Sequence, residues 1–201
     1  MEAKPPGGRE AAYPEAIRIN GKGRPEGGTP QGSASFRFKC KVIDYSGQQS
    51  YNERNKSQFV EVTMDYRKIN PSEVDALWDL QKQYKAEIGE DEPSDDGKER
   101  LADAIDKGKI SFYGVWKDNT LIGCCSITVG FSTFDYHSSG VFEDFYICPE
   151  HRHQGIARQL VEFAYRESGV SSLTVGCADC DVKMYQSLGF AISLGNLLAF
   201  E

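Results

Sequence analysis

Apolar and polar positions divide this chain unevenly. Over residues 1 to 33, Pro5-Pro6-Gly7-Gly8 and Gly27-Gly28 punctuate a stretch with almost no apolar periodicity. Such a stretch buries too little surface to offset the entropy of ordering it, so disorder is expected there. Phe36 to Val42 alternates as a short strand does, whereas Ser46 to Gln58 is polar apart from Tyr51. Residues 34 to 63 therefore predict an edge strand at most.

From Met64 the pattern becomes regular. Tyr66 to Ile69 predicts a short strand, after which Asn70, Pro71 and Glu73 supply an N-cap, a first-turn proline and an N3 glutamate. Val74, Leu77, Trp78, Tyr84 and Ile88 keep helical spacing as far as Ile88. Gly89 to Gly97 breaks that helix, and Lys98 to Lys107 resumes as a second one with Leu101, Ala104 and Ile105 inward, stopped by Gly108. Ile110 to Trp116 and Leu121 to Val129 predict antiparallel strands about the turn Lys117-Asp118-Asn119-Thr120. Val141 to Ile147 predicts another strand, with Phe131 to Gly140 either a loop or the frayed ends of a longer hairpin. Gly155 to Glu167 is amphipathic, with Ile156, Ala157, Leu160, Val161 and Ala164 on one face, and Leu173 to Gly176 follows as a buried strand. A strand, helix, strand crossover demands parallel strands and a right-handed connection. A helix from about Cys180 to Leu188, capped by Gly189, and strands at Phe190 to Ile192 and Leu197 to Phe200 complete an α/β (α+β) domain with a mixed sheet. The expected organisation is an extension over 1–63 and a domain over 64–201.

Length and charge narrow the function. A chain of 201 residues suits one core plus an extension. No apolar run is long enough to span a bilayer, and the N-terminus lacks the pattern of an export or transit signal, so a cytoplasmic home is expected. The net charge of −7 and pI near 5.1 oppose a nucleic-acid or anionic-membrane surface, where a basic footprint is needed. Residues 1 to 63 carry ten Lys/Arg against seven Asp/Glu, and 64 to 201 carry thirteen against twenty-three. The acidic character belongs to the second part and suits a cationic partner. Val60 to Thr63 can be encoded by a purine-rich stretch containing a ribosome-binding sequence, which marks Met64 as an expected native start. The six cysteines are expected to be free thiols, with Cys124-Cys125 in the core.

The densest chemistry lies from Phe142 to Arg158, a strand that runs through a loop into a helix. In Arg152-His153-Gln154-Gly155-Ile156-Ala157-Arg158, Gly155 lets backbone approach a phosphate and Ala157 keeps the first turn small. The unpaired N–H groups of the helix start then point at the anion, and Arg152 and Arg158 add charge-assisted bonds.

Together with the later Tyr185-Gln186-Ser187-Leu188-Gly189-Phe190, this arrangement resembles the GNAT (Gcn5-related) N-acetyltransferase family from Met64 to the C-terminus. The resemblance implies a mixed, mainly antiparallel sheet whose central parallel pair splays around acetyl-CoA, with helices on both faces. It places the coenzyme's pyrophosphate on the backbone of His153, Gln154, Gly155, Ile156, Ala157 and Arg158, with Arg152 nearby. It places the pantetheine arm along Phe145, Tyr146 and Ile147. Tyr185 matches the family tyrosine that protonates the departing sulfur. Glu143 sits where polyamine acetyltransferases of the family carry a glutamate that takes a proton through water, and Asp144 is its competitor. Strand neighbours face opposite sides, so only one of the two is expected to face the acceptor; Glu143 is favoured. Where many members carry an asparagine, this chain has Cys177-Ala178-Asp179-Cys180-Asp181, in which Asp179 or Asp181 can cap the helix. A metal held by Cys177 and Cys180 with Cys148, His151 or His153 would occupy the coenzyme's groove, so none is expected.

The acceptor implied is a small cationic amine such as a polyamine or aminoglycoside, drawn by the acidic segment Glu90 to Asp96. Phe131, Phe134, Tyr136 and His137 are candidates to line its pocket. Two other readings stand beside this one: a coenzyme A sensor or scaffold without turnover, and an acetyltransferase acting on a protein N-terminus or lysine. The assembly is expected to be a monomer or homodimer.

Overall fold

Among the described residues, six strands form one sheet in the order β1-β2-β3-β4-β5-β6, so the strands lie side by side in chain order. In the computed structural model, residues 36–42 and 60–195 are described. The chain divides into the units Met1–Gly32 and Ser33–Glu201. The first unit, the polar run Ser46 to Gln58 and the expected strand Leu197 to Phe200 lie outside the described residues.

β1 (Phe36–Val42) pairs antiparallel with β2 (Val60–Lys68) at the sheet's edge. Regular structure thus begins ahead of Met64, and β2 is longer than the expected Tyr66 to Ile69. After it, the Glu73 carboxylate accepts the Asn70 backbone N–H at 3.0 Å, opening the turn that leads into α1 (Val74–Ile88). Gly89 ends α1 in the left-handed region at φ 77°, where a side chain would be strained. α2 (Asp95–Asp106) follows.

β3 (Ser111–Lys117) and β4 (Thr120–Ser132) are the middle strands, and both faces of their paired halves are buried. That is why their sequences run apolar rather than alternating. β5 (His137–Ile147) pairs antiparallel with β4 from Ser132↔His137 onward, so Phe131 to Gly140 is the longer hairpin. The crossover helix α3 (Ile156–Ser168) brings β6 (Ser172–Val175) back parallel to β5.

The sheet separates two apolar layers. On one face, α3 packs Ile156, Leu160, Phe163 and Ala164 against Tyr66, Tyr113, Val115, Cys125, Ile127 and Phe142. On the other, α1 and α2 pack Leu77, Leu80 and Ile105 against Phe112, Trp116, Cys124 and Tyr146. Cys124 and Cys125, at 0% exposure, each serve a different face. α4 (Val182–Leu188) ends at Gly189, φ 114°. Phe190 to Ile192 is not a strand: the Phe190 N–H donates to the Tyr185 carbonyl at 3.1 Å, closing the helix end, and its ring packs into the α3-side layer.

Candidate active site

The parallel pairing of β5 with β6 runs from Ser139↔Ser172 to Phe142↔Val175 and stops there. Beyond Phe142, β5 continues to Ile147 with β4 as its partner. The sheet therefore opens between β5 and β6, leaving β5 backbone from Glu143 onward free of a parallel neighbour.

At the same point β5 is bulged. Ser126 pairs with Glu143 and Cys124 with Tyr146, so Asp144 and Phe145 together face Cys125 alone. Asp144 has φ 50°, a conformation that aspartate tolerates better than most residues. The extra residue breaks alternation. The register puts Glu143 on the same face as Ser126, and the Ser126 hydroxyl donates to Asp144 Oδ2 at 2.7 Å. Both carboxylates thus lie on the α1 face, because the bulge breaks the alternation that an unbroken strand would impose on them. Glu143 is exposed and Asp144 half-buried.

Tyr84 of α1 lies over this region, its ring 5.7 Å from that of Tyr146. Burial raises the Tyr84 phenol above its ordinary value, and the charges of Asp144, Cys124, Asp181 and Glu90 raise it further. From α4, Tyr185 reaches the opening. Its ring stands 6.4 Å from Phe145 and 5.9 Å from Phe190. Burial pushes the Tyr185 phenol up to about 12, with smaller contributions from Tyr84, Asp181 and Cys177. A phenol so placed keeps its proton at neutral pH.

The loop between β5 and α3 curls through two left-handed residues, His153 at φ 61° and Gly155 at φ 78°. The first turn of α3 bonds the Gln159 N–H to the Gly155 carbonyl at 3.3 Å, so the N–H groups of Ile156, Ala157 and Arg158 precede any intrahelical acceptor. A Cβ at Gly155 would have open space except for Gln159 Nε2 at 3.8 Å; the dihedral, not crowding, calls for glycine there. Ile156 is buried in the core, whereas His153, Gln154 and Arg158 are exposed. Gln154 Nε2 donates to the Glu150 carbonyl at 3.1 Å, and Arg158 pairs with Glu162 at 3.1 Å.

Arg152 is engaged elsewhere. Its Nε donates to the Ile147 carbonyl at 2.8 Å, its Nη2 meets Glu87 of α1 at 2.7 Å, and its guanidinium lies 5.5 Å from the Tyr146 ring. The hydrogen bond from Arg152 holds the Glu87 carboxyl below its ordinary range and is the chief cause raising Arg152 in turn. In this structure Arg152 ties the end of β5 to α1. Cys177 and Cys180 are exposed and free, and among the described residues no group of three or more His, Cys, Asp or Glu could hold a metal ion.

Three residues around the bulge carry no sequence motif. Gln81, 8% exposed on α1, donates to Cys124 Sγ at 3.7 Å; that thiol donates to the Asp144 carbonyl at 3.6 Å; and Ser126 is 0% exposed. The available signal was composition: Ser126 is the one hydroxyl in the apolar run Leu121 to Ile127.

Residues 108–192 match the family model of the acetyltransferase (GNAT) domain. No curated protein matches the chain in sequence. Among solved structures, an aminoglycoside acetyltransferase from an uncultured soil metagenomic sample, crystallised with sisomicin, superposes with a TM-score of 0.61 at 13% identity, covering 69% of this chain and 95% of its own. A predicted acetyltransferase with acetyl-CoA from Clostridium acetobutylicum gives 0.53 at 19%, covering 68% and 96%. A ribosomal-protein-alanine N-acetyltransferase from Brucella melitensis biovar Abortus 2308 gives 0.57 at 14%, covering 69% and 98%. These three are similar to the chain in fold, and the first and third differ in what their names say they act on. The opened parallel pair, the helix-start loop and the family match agree: residues 108–192 match a GNAT acetyltransferase domain, and the chain shares the fold of the acetyltransferases it superposes on.

Proposed function

We propose that this protein transfers the acetyl group of acetyl-CoA directly to a primary amine of a small cationic molecule, of the polyamine or aminoglycoside kind. The residues fit the coenzyme: the left-handed loop with its unpaired N–H groups suits a pyrophosphate, and the free edge of β5 from Phe145 to Ile147 suits an amide-bearing arm. His153, Gln154, Gly155, Ile156, Ala157 and Arg158 would hold the phosphates through backbone. Arg152 would shape the loop's start from its place against Ile147 and Glu87. When bound, the coenzyme supplies a thioester-linked acetyl group.

The observation that carries the reading is Tyr185. It stands against Phe145 where β5 has parted from β6, and its phenol, which burial raises from an ordinary value already above neutrality, carries its proton there. There it donates a proton to the departing sulfur. Glu143, exposed to water on the bulge, takes the amine's proton through that water. The acidic surroundings, with Glu90 and Asp181 acting on Tyr84 and a chain charge of −7, favour a cation over a neutral or anionic acceptor. A soluble cytoplasmic enzyme, monomeric or homodimeric, is the matching setting; among the described residues no helix is long and apolar enough to cross a membrane.

The test is thiol release from acetyl-CoA across polyamines, aminoglycosides, amino acids and peptides, with wild type and Tyr185→Phe. Turnover on a polyamine or aminoglycoside that falls in the variant is the expected result. Turnover on peptides alone transfers the reading to a protein acceptor, and coenzyme binding without any turnover makes the protein a sensor.

A further inference from the structure

Asp144 is held from both ends. Ser126, fully buried on a middle strand, donates to its carboxylate at 2.7 Å, and Cys124 Sγ donates to its carbonyl at 3.6 Å while accepting from Gln81 Nε2 at 3.7 Å. A serine in an apolar strand is a poor packing choice unless its hydroxyl has a partner, and its partner here is a charge. Asp144 also occupies the left-handed region at φ 50°, a conformation that costs energy unless its surroundings impose it. Among the described residues no cationic side chain forms an ion pair with Asp144. The groups shown to act with it electrostatically, Tyr84 from α1 and Cys124 and Cys125 from β4, bring no positive charge. A fixed, half-buried carboxylate beside the opened sheet, supplied with a hydroxyl but with no cation, is built to receive a cation from outside.

We propose that Asp144 is the ammonium anchor of the acceptor subsite and that Ser126 is its positioning residue, with the Gln81–Cys124 contact fixing the Asp144 backbone. The inference rests on the acetyltransferase reading and names what recognises the acceptor's charge. The two bulge carboxylates then have separate roles. Asp144, held by Ser126, fixes the charged acceptor, and Glu143, in contact with water, handles the proton. No bond to Asp144 is made or broken.

A double-mutant cycle tests it, with spermine and neamine as probes. Asp144→Asn keeps shape and hydrogen bonding and removes the charge; Ser126→Ala removes the hydroxyl; Ser126→Thr restores one. We expect KM for both probes to rise about fiftyfold in Asp144→Asn and about tenfold in Ser126→Ala, with kcat changed far less and acetyl-CoA affinity unchanged. Ser126→Thr should recover most of the loss, and Ser126→Ala should add nothing once Asp144→Asn is present. Equal losses from Ser126→Ala in both backgrounds, or a wild-type KM in Asp144→Asn, overturns the proposal. The same cycle is read by calorimetry of spermine binding to coenzyme A-saturated protein. If wild type binds spermine through Asp144 yet releases no thiol with any amine, the acetyltransferase reading fails and the anchor stands. If wild type acetylates amines and Asp144→Asn binds spermine equally well, the anchor fails and the enzyme stands. Absence of spermine and neamine binding to wild type overturns the anchor outright.

Discussion

Between His137 and Phe142, β5 is bonded to β4 along one edge and, from Ser139, to β6 along the other; from Glu143 to Ile147 β4 is its strand partner, and the chain bulges. The closed half carries Phe142, 1% exposed, and Gly140, packed among Leu173, Ile127 and Val170. The open half carries Glu143 and Asp144, with Tyr185 and Tyr84 approaching it from two helices. One strand thus serves two ends. Its first half commits both edges of its backbone to the sheet, and its second half leaves the edge toward β6 unpaired. Stability should concentrate in the first and activity in the second.

The sharpest break of that division is Phe142→Ala. Its ring meets Phe145 at 5.5 Å and Phe190 at 5.3 Å, and its loss should cost about 3–5 kcal/mol in urea unfolding. Tyr185→Phe is the counterpart on the open side. It should lower kcat about a hundredfold, roughly 2.7 kcal/mol of barrier, with acetyl-CoA affinity and unfolding midpoint unchanged. Gly140→Ala returns to the closed half: its Cβ would fall 2.9 Å from Leu173 Cδ1 and 3.0 Å from Ile127 Cγ2, and overpacking should cost about 1–3 kcal/mol. Asp144→Gly should change stability by less than about 1 kcal/mol, because relief of the left-handed dihedral offsets the lost Ser126 bond. If Asp144→Gly unfolds the protein as readily as Phe142→Ala does, the division between the halves is wrong.

The smallest effect concerns pH and vanishes at neutrality. Burial pushes the phenols of Tyr113 and Tyr185 up to about 12 from an ordinary 10.0. Between those values the unfolded chain releases these protons while the folded chain keeps them. Their contribution is full below the ordinary value and is lost as pH climbs toward the raised one. Tyr113→Phe should therefore lose less stability than wild type across that alkaline window, measured by urea unfolding at each pH. Equal slopes would mean that the phenol is not held in the folded protein.

What the chain reveals before its fold is known depends on the range of the signal. The α1 and α3 helices, the β3–β4 turn and the caps at Gly89 and Gly189 are local, set by periodicity and by residues suited to one dihedral. The loop before α3 belongs with them, since Gly155 and the amphipathic helix after it are read from neighbouring residues alone. The bulge is not local in the same sense. Asp144 lies in Phe142-Glu143-Asp144-Phe145-Tyr146, a run that suits an unbroken strand, and only the register against Cys124 and Ser126 shows the extra residue. Arg152 teaches the same lesson. Its place in the loop fits a phosphate ligand, yet its partner Glu87 is on α1, far away in sequence, and a glutamate on a helix gives no sign of where it will point. β1 was visible as alternation but not as a pairing, because a partner strand is a property of the sheet.

The burial of thiols has a practical consequence. Burial raises the Cys124, Cys125 and Cys148 thiols above their ordinary range, while Cys177 and Cys180 are exposed. A thiol reagent attacks the thiolate, so a colorimetric reading of coenzyme release has, among these five, two sulfurs to set as its blank and three that stay silent until the fold gives way. The same reagent then reports in two registers: a rapid, stoichiometric background from the folded protein, and a slower rise that counts unfolded molecules in the cuvette where turnover is being followed.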